Sequence, residues 1–332
     1  RSSRAGKALM RSLNEFIRRH YSYLILATVG LSIVVGWLSP AVARAFKPYM
    51  VYLIGIMIWA MSVTIRFPEL RFALRKGKLI GCGLLANFVF LPLLCYLLAI
   101  ALMRSQPLYA TGFILMGTVP CAGMNVVWTG LLGGDVALAL VLGALTMLLG
   151  IVTIPGLTYI LAGTYVSVNV LEMLYTLTKV LIIPILLGVV TRSLLERRAK
   201  QRTALLPIFP PIAAISAMLL MFIMIALNIR MIPGGTTLIS LIIPPLLLFP
   251  IAFGGVYLWC ERLLHCHRRE TDALVYSSGM KHLPLAMGIA FVSFGQEAAL
   301  PIAVAAVFQT FNASLFYRLF QGRACAERPS PE

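Results

Sequence analysis

"GTVPCAGMNVVW" (residues 117–128) and "SSGMKHLPLAMG" (277–288) decide how this chain is read. Each sets a Gly-Met-polar triplet beside a proline within an apolar run. Gly123-Met124-Asn125 follows Pro120, and Gly279-Met280-Lys281 precedes Pro284. The triplets stand 156 residues apart, close to half of the 332 residues. Proline inside a helix removes a backbone donor and clashes with the preceding turn. Glycine leaves helical geometry at small cost. Together they predict two helices that are interrupted rather than merely bent, whereas Pro92, Pro155, Pro184 and Pro250 read as ordinary kinks.

The surroundings of the two stretches place them in a membrane. Hydrophobic residues make up 60% of the chain and charged residues 12%, against about a quarter charged in soluble domains. Apolar runs near the ~20 residues needed to cross a bilayer recur throughout. Ten spans are expected, at 21–43, 49–65, 79–103, 108–133 (interrupted), 135–161, 170–194, 205–228, 236–260, 272–296 (interrupted) and 300–320. The fold class is therefore an all-α polytopic membrane protein with ten transmembrane helices. Five spans per half make the second half enter the bilayer from the opposite side, which is the arithmetic of two inverted five-helix repeats. Matching breaks in such repeats point to a transport site, because irregular backbone at membrane depth is tolerated only against protein or a watery cavity.

The net charge of +17 sorts by side rather than forming a nucleic-acid surface. Six basic residues lie in the N-terminal tail and five in each of the loops before spans three and seven. Three more precede span nine, and three lie in the C-terminal tail. The other side has only Arg44, Lys47, Arg104 and Arg230. This is the positive-inside pattern against anionic lipid. It predicts a multi-pass protein of the cell (inner or plasma) membrane with both termini cytoplasmic. Residues 1–20 form a basic cytoplasmic tail without the apolar core of a signal peptide.

Only Lys179 and Lys281 fall inside spans, and no acid lies at the middle of one. The six cysteines are spread over spans and cytoplasmic loops, which argues against a disulfide framework. "CERLLHCHRR" (260–269) mixes Cys and His but fits no zinc spacing. No cofactor motif, phosphate loop or cluster of His and carboxylates appears, so a membrane enzyme is disfavoured. A receptor would not need two matched breaks.

Several stretches, in order, resemble the bile acid:sodium symporter family over about residues 20–320. They are "FKPYMVYLIGIMIWAMSVTI" (46–65), "ANFVFLP" (86–92), "GMNVVWTGLLGGDVALAL" (123–140), "TKVLIIPILLG" (178–188) and "SSGMKHLPLA" (277–286). The resemblance implies panel helices 1–2 (21–70) and 6–7 (168–228), and core helices 3–5 (77–163) and 8–10 (236–320), followed by a cytoplasmic tail at 321–332. Interrupted helices 4 and 9 would cross at mid-membrane. An organic anion, bile-acid-like or pantoate-like, would bind between panel and core near the crossing and be carried by alternating access. Contacts are expected from Pro120, Cys121, Ala122, Gly123, Met124, Asn125 and His282.

The family also implies two sodium ions behind the crossing, and here the chain departs from the pattern. Met124-Asn125 stands for a Ser-Asn pair, Ala139 and Gly143 for hydroxyl ligands, and Ser277 for a glutamate. Lys281 and Asn87 stand for glutamines. Hard cations need several oxygen ligands at once, so both sodium sites are expected to be lost. Lys281, Ser277 and Asn87 are then the ion-coupling candidates. Three roles are open to Lys281: an ammonium replacing a sodium ion, a direct contact to the anion, or a side chain snorkelling to the cytoplasmic edge. Protons are a candidate coupling ion, and His282 can donate to an anion or titrate near neutral pH. Lys179 matches a family lysine and reads as structural. "PCAGMNVVWTGLLGGD" (120–135) also resembles the related arsenite exporters, which would make Cys121 a metalloid ligand. A sodium-coupled organic-anion symporter is the remaining alternative.

Overall fold

A computed structural model describes residues 23–64, 76–166, 170–197, 203–231 and 236–326. Twelve helices among the described residues surround or form the two interruptions. They are α1 (Tyr23–Leu38), α2 (Pro40–Val63), α3 (Gly77–Leu102), α4 (Pro107–Thr118), α5 (Met124–Leu131), α6 (Val136–Ala162), α7 (Leu171–Glu196), α8 (Phe209–Asn228), α9 (Leu238–Leu264), α10 (Arg268–Gly279), α11 (Leu283–Phe294) and α12 (Gln296–Ala326). Seven helices among the described residues are long and apolar enough to cross a bilayer, and α1 and α11 are shorter apolar ones. No strand occurs among the described residues; the one extended pairing is an isolated bridge between Cys121 and Lys281. The protein is an all-helical, multi-pass membrane protein.

Proline and glycine set the boundaries. α1 stops at Leu38 rather than at residue 43, because Pro40 opens α2 at its first turn. The expected loop between the first two spans is accordingly helical, with only a 3-10 turn at Lys47–Tyr49. α12 begins at Gln296 and runs beyond the expected 300–320, because Gly295 at φ +90° turns the chain in one residue. Asp135 caps α6 by accepting from the Leu138 N–H at 3.0 Å.

Two groups of helices result. α1, α2, α7 and α8 pack together: Gly36 lies against Ala226, and Gly188 against Trp59 and Ser62, so closely that a Cβ would have no room. α3–α6 pack with α9–α12 in a second group. Between the groups, α2 meets both interrupted regions, with Met61 over Gly123 and Ile54 on Gly288. α7 and α8 also lie against α11.

Candidate functional site

Both interruptions occur where the sequence places them. α4 ends at Thr118 and α5 starts at Met124; α10 ends at Gly279 and α11 starts at Leu283. The two extended links pair antiparallel through backbone. The Ala122 N–H donates to the Met280 carbonyl at 2.8 Å, and the His282 N–H to the Pro120 carbonyl at 3.0 Å. Each break therefore satisfies the polar groups exposed by the other, as backbone at membrane depth must. The peptide groups of Cys121 and Lys281 point away from this pair and find side chains instead. The Cys121 N–H lies 3.3 Å from Thr146 Oγ1. Lys281 is clasped by Gln309, whose Oε1 accepts from the Lys281 N–H at 2.8 Å and whose Nε2 donates to the Lys281 carbonyl at 3.0 Å.

Lys281 is 1% exposed, and its ammonium has three hydrogen-bond acceptors. They are the Asn87 carbonyl at 2.9 Å, the Val119 carbonyl at 3.0 Å and Asn87 Oδ1 at 3.2 Å. An ammonium has three donors, so its capacity is filled by oxygens of α3 and of the link after α4. The sequence explains why these oxygens are free. Val119 follows the end of α4 in extended geometry. In α3, residues 86–90 form a π-helical turn in which the Leu91 N–H reaches back to Ala86. The next residue is Pro92, which has no N–H to offer Asn87. Pro92, read from sequence as an ordinary kink, thus helps to create an acceptor for Lys281. Such turns recur at functional sites.

The remaining polar candidates form one chain of hydrogen bonds. Asn87 Nδ2 donates to the carbonyls of Gly83 (2.9 Å) and Ser277 (3.1 Å). Asn125 Nδ2 donates to Ser277 Oγ at 2.9 Å and to the Ala139 carbonyl at 3.0 Å, while its Oδ1 accepts from the Val126 N–H at 2.7 Å. A carbonyl only accepts and a peptide N–H only donates, so both amide orientations are dictated by their partners. The chain Asn125–Ser277–Asn87–Lys281 joins α5, α10, α3 and the second link.

The other candidates divide by exposure. Pro120 and Cys121 are buried, with the Cys121 sulfur 3.3 Å from Thr146 Oγ1 and 3.6 Å from Asn125 Nδ2. His282 caps α11, its Nδ1 accepting from the Leu285 N–H at 3.3 Å, which leaves Nε2 to carry the proton of the neutral ring. Ala122 and Met124 are half-buried and Gly123 is exposed beside Met61, so this short segment is the accessible part of the first break. Lys179 lies in a π turn of α7, over the Tyr175 ring at 4.1 Å. Gln309 and Thr146 were not singled out by sequence. Their signal is weak: single polar side chains inside long apolar helices.

Known proteins resemble this chain over most of its length. It is 25% identical over 312 residues to "Probable sodium/metabolite cotransporter BASS1, chloroplastic" of Arabidopsis thaliana, spanning 93% of this chain and 76% of that one. It is 23% identical over 309 residues to "Uncharacterized sodium-dependent transporter YocS" of Bacillus subtilis (strain 168), spanning 90% and 92%. It is 26% identical over 277 residues to "Probable sodium/metabolite cotransporter BASS2, chloroplastic" of Oryza sativa subsp. japonica, spanning 81% and 63%. The profile of one transporter family matches residues 51–234, more than half of the chain. With two interrupted helices joined through paired backbone and this match, the chain belongs to the Sodium Bile acid symporter family.

Proposed function

We propose that the protein is a secondary transporter of a small or medium organic anion, working by alternating access and without sodium. The Lys281 ammonium carries this reading: held by three oxygens where the family resemblance implies a sodium ion, it would supply that positive charge itself. The Asn125 amide nitrogen, which faces the Ala139 carbonyl and Ser277 Oγ, supports the same reading for the other expected sodium ion. Ser277 brings a hydroxyl where charge compensation would call for a carboxylate. In this reading α1, α2, α7 and α8 form the panel, and the ten crossings form two inverted repeats in the plasma membrane with both termini cytoplasmic. The anion docks between the panel and the segment 122–124, near His282. Placement of Cys121 between Thr146 and Asn125 favours packing over a metalloid thiolate.

A second reading, sodium-coupled symport, is favoured by the names of the relatives, two of which are called sodium/metabolite cotransporters. Uptake of labelled pantoate and taurocholate into proteoliposomes, with sodium and pH gradients imposed separately, discriminates. Accumulation without sodium supports the proposal. Accumulation only with sodium sinks it.

A further inference from the structure

Gln309 sits in the middle of α12 and is 7% exposed. Its amide bonds to both polar groups of one peptide residue, Lys281, as a neighbouring strand would. The opposite edge of that residue is already occupied by the first break. The second link is therefore flanked by a strand-like partner on each side, one of them a side chain. One turn further along α12, the Ala313 carbonyl accepts from the Tyr276 hydroxyl at 2.9 Å. α12 thus grips the broken span at two points, residue 276 before the interruption and residue 281 within it. Among the described residues the first break has no equivalent clasp: Thr146 offers Cys121 a single oxygen at 3.3 Å.

We infer that Gln309 is a positioning residue that fixes the Lys281 backbone to α12, so that the ammonium reaches the oxygens of Asn87 and Val119 and the second break moves with α12 as one body. The inference rests on reading Lys281 as the fixed cation of the carrier. Leucine at 309 would leave the Lys281 N–H without an acceptor in a buried place. Its peptide would swing, and the ammonium would lose its aim. Glutamate keeps an acceptor for that N–H in either protonation state, and asparagine is one methylene too short to keep both bonds.

Hydrogen–deuterium exchange of the purified full chain, read on peptides covering 277–286 and 117–128, tests this without knowledge of the substrate. In Gln309→Leu and Gln309→Asn the Lys281 amide is expected to exchange at least ~10-fold faster, the scale of one lost buried hydrogen bond. Protection of 117–128 and of α6 should be unchanged. Gln309→Glu should restore slow exchange at Lys281, which a loss of general packing would not do. Acetylation of Lys281 by acetic anhydride, quantified by mass spectrometry, should rise in the Leu variant and fall back in the Glu variant. Equal Lys281 exchange in wild type and Gln309→Leu would overturn the clasp. Uniform loosening of all spans in every variant, Glu included, would overturn it as well. Failure of the sodium-free reading registers elsewhere: wild-type protein would then be thermally stabilised by sodium over potassium, whatever the exchange data show.

Discussion

At the scale of single residues, Lys281 and Asn125 hold opposite ends of one hydrogen-bond chain, the ammonium confined by three acceptors and the amide by two acceptors and the Val126 N–H. Lys281→Gln shortens the reach and removes the charge, leaving carbonyl oxygens of α3 and of the link after α4 unpaired. At about 1–3 kcal/mol per orphaned buried acceptor, transport is expected to fall at least ~10-fold, read as initial uptake in proteoliposomes at matched protein density. Asn125→Leu takes the donor from Ser277 and Ala139 and the acceptor from Val126. It should abolish transport while the protein remains recoverable from membranes. Cys121→Ala loses only two long sulfur contacts and should retain more than about half of the wild-type rate, since an isolated small buried side chain is mostly packing. An inactive alanine variant would revive a direct role for the thiol.

Helices and their interruptions add what no single side chain supplies. The π turn in α3 frees an acceptor only because residue 92 is proline. Pro92→Ala restores an N–H that can close the helix ladder over residues 87–88 and compete with the ammonium for the Asn87 carbonyl. Helix stability should rise or stay level, because proline is disfavoured inside helices, while transport drops. The pairing of unchanged melting temperature with reduced uptake distinguishes this from misfolding; full activity would show that the Asn87 carbonyl is dispensable. Close helix approaches matter in the same way. Gly112 faces the Ala298 carbonyl with no space for a side chain, which ties α4 to α12.

Over the whole molecule, one ion cluster ties the two halves of the chain together. Lys76, just before α3, donates to Asp135 at the head of α6 and to Glu270 in the first turn of α10, both at 2.7 Å. Hydrogen bonds donated to the Asp135 and Glu270 carboxylates, with their charge, raise the Lys76 pKa above the usual lysine value. Burial pushes Asp135 upward, but Lys76 and the N–H groups of Leu138 and Ala137 outweigh it, so its pKa ends below the usual carboxylate range. The depressed carboxylate contributes stability above its unfolded pKa and loses it as pH falls through the folded value. The raised lysine contributes below its unfolded pKa and loses it only as pH rises through its folded value. Lys76→Met should therefore lower the melting temperature near pH 7, and the difference from wild type should close in acid below the carboxylate range. Lys76 is two-fifths exposed, so the effect should be small, within the ~1 kcal/mol of solvent-screened pairs. A difference independent of pH would mean the methionine acts through packing. All three residues belong to the side that charge distribution assigns to the cytoplasm. Cysteine at exposed position 269 should resist an impermeant maleimide applied to intact cells, and cysteine at exposed position 104 should react. The opposite result would invert the orientation.

Sequence by itself determined the membrane class, the helical content and the positions of both interruptions, because hydropathy, proline and glycine act locally and leave a local mark. It also singled out Asn125 and Lys281, since polar side chains are costly in an apolar span and so stand out, while Asn87 and Ser277 came only from the family resemblance. Helix ends at Leu38 and Gln296 depended on neighbours such as Pro40 and Gly295, and simple hydropathy windows passed over them. Only the tertiary structure decided who satisfies whom. Residues 121 and 281 pair across 160 positions of sequence, and Gln309 reaches Lys281 from another helix. A kink at Pro92 became a ligand position. Hydrogen bonds between distant segments leave no periodicity along the chain. They are selected when backbone freed in one break must find partners in a medium that offers no water.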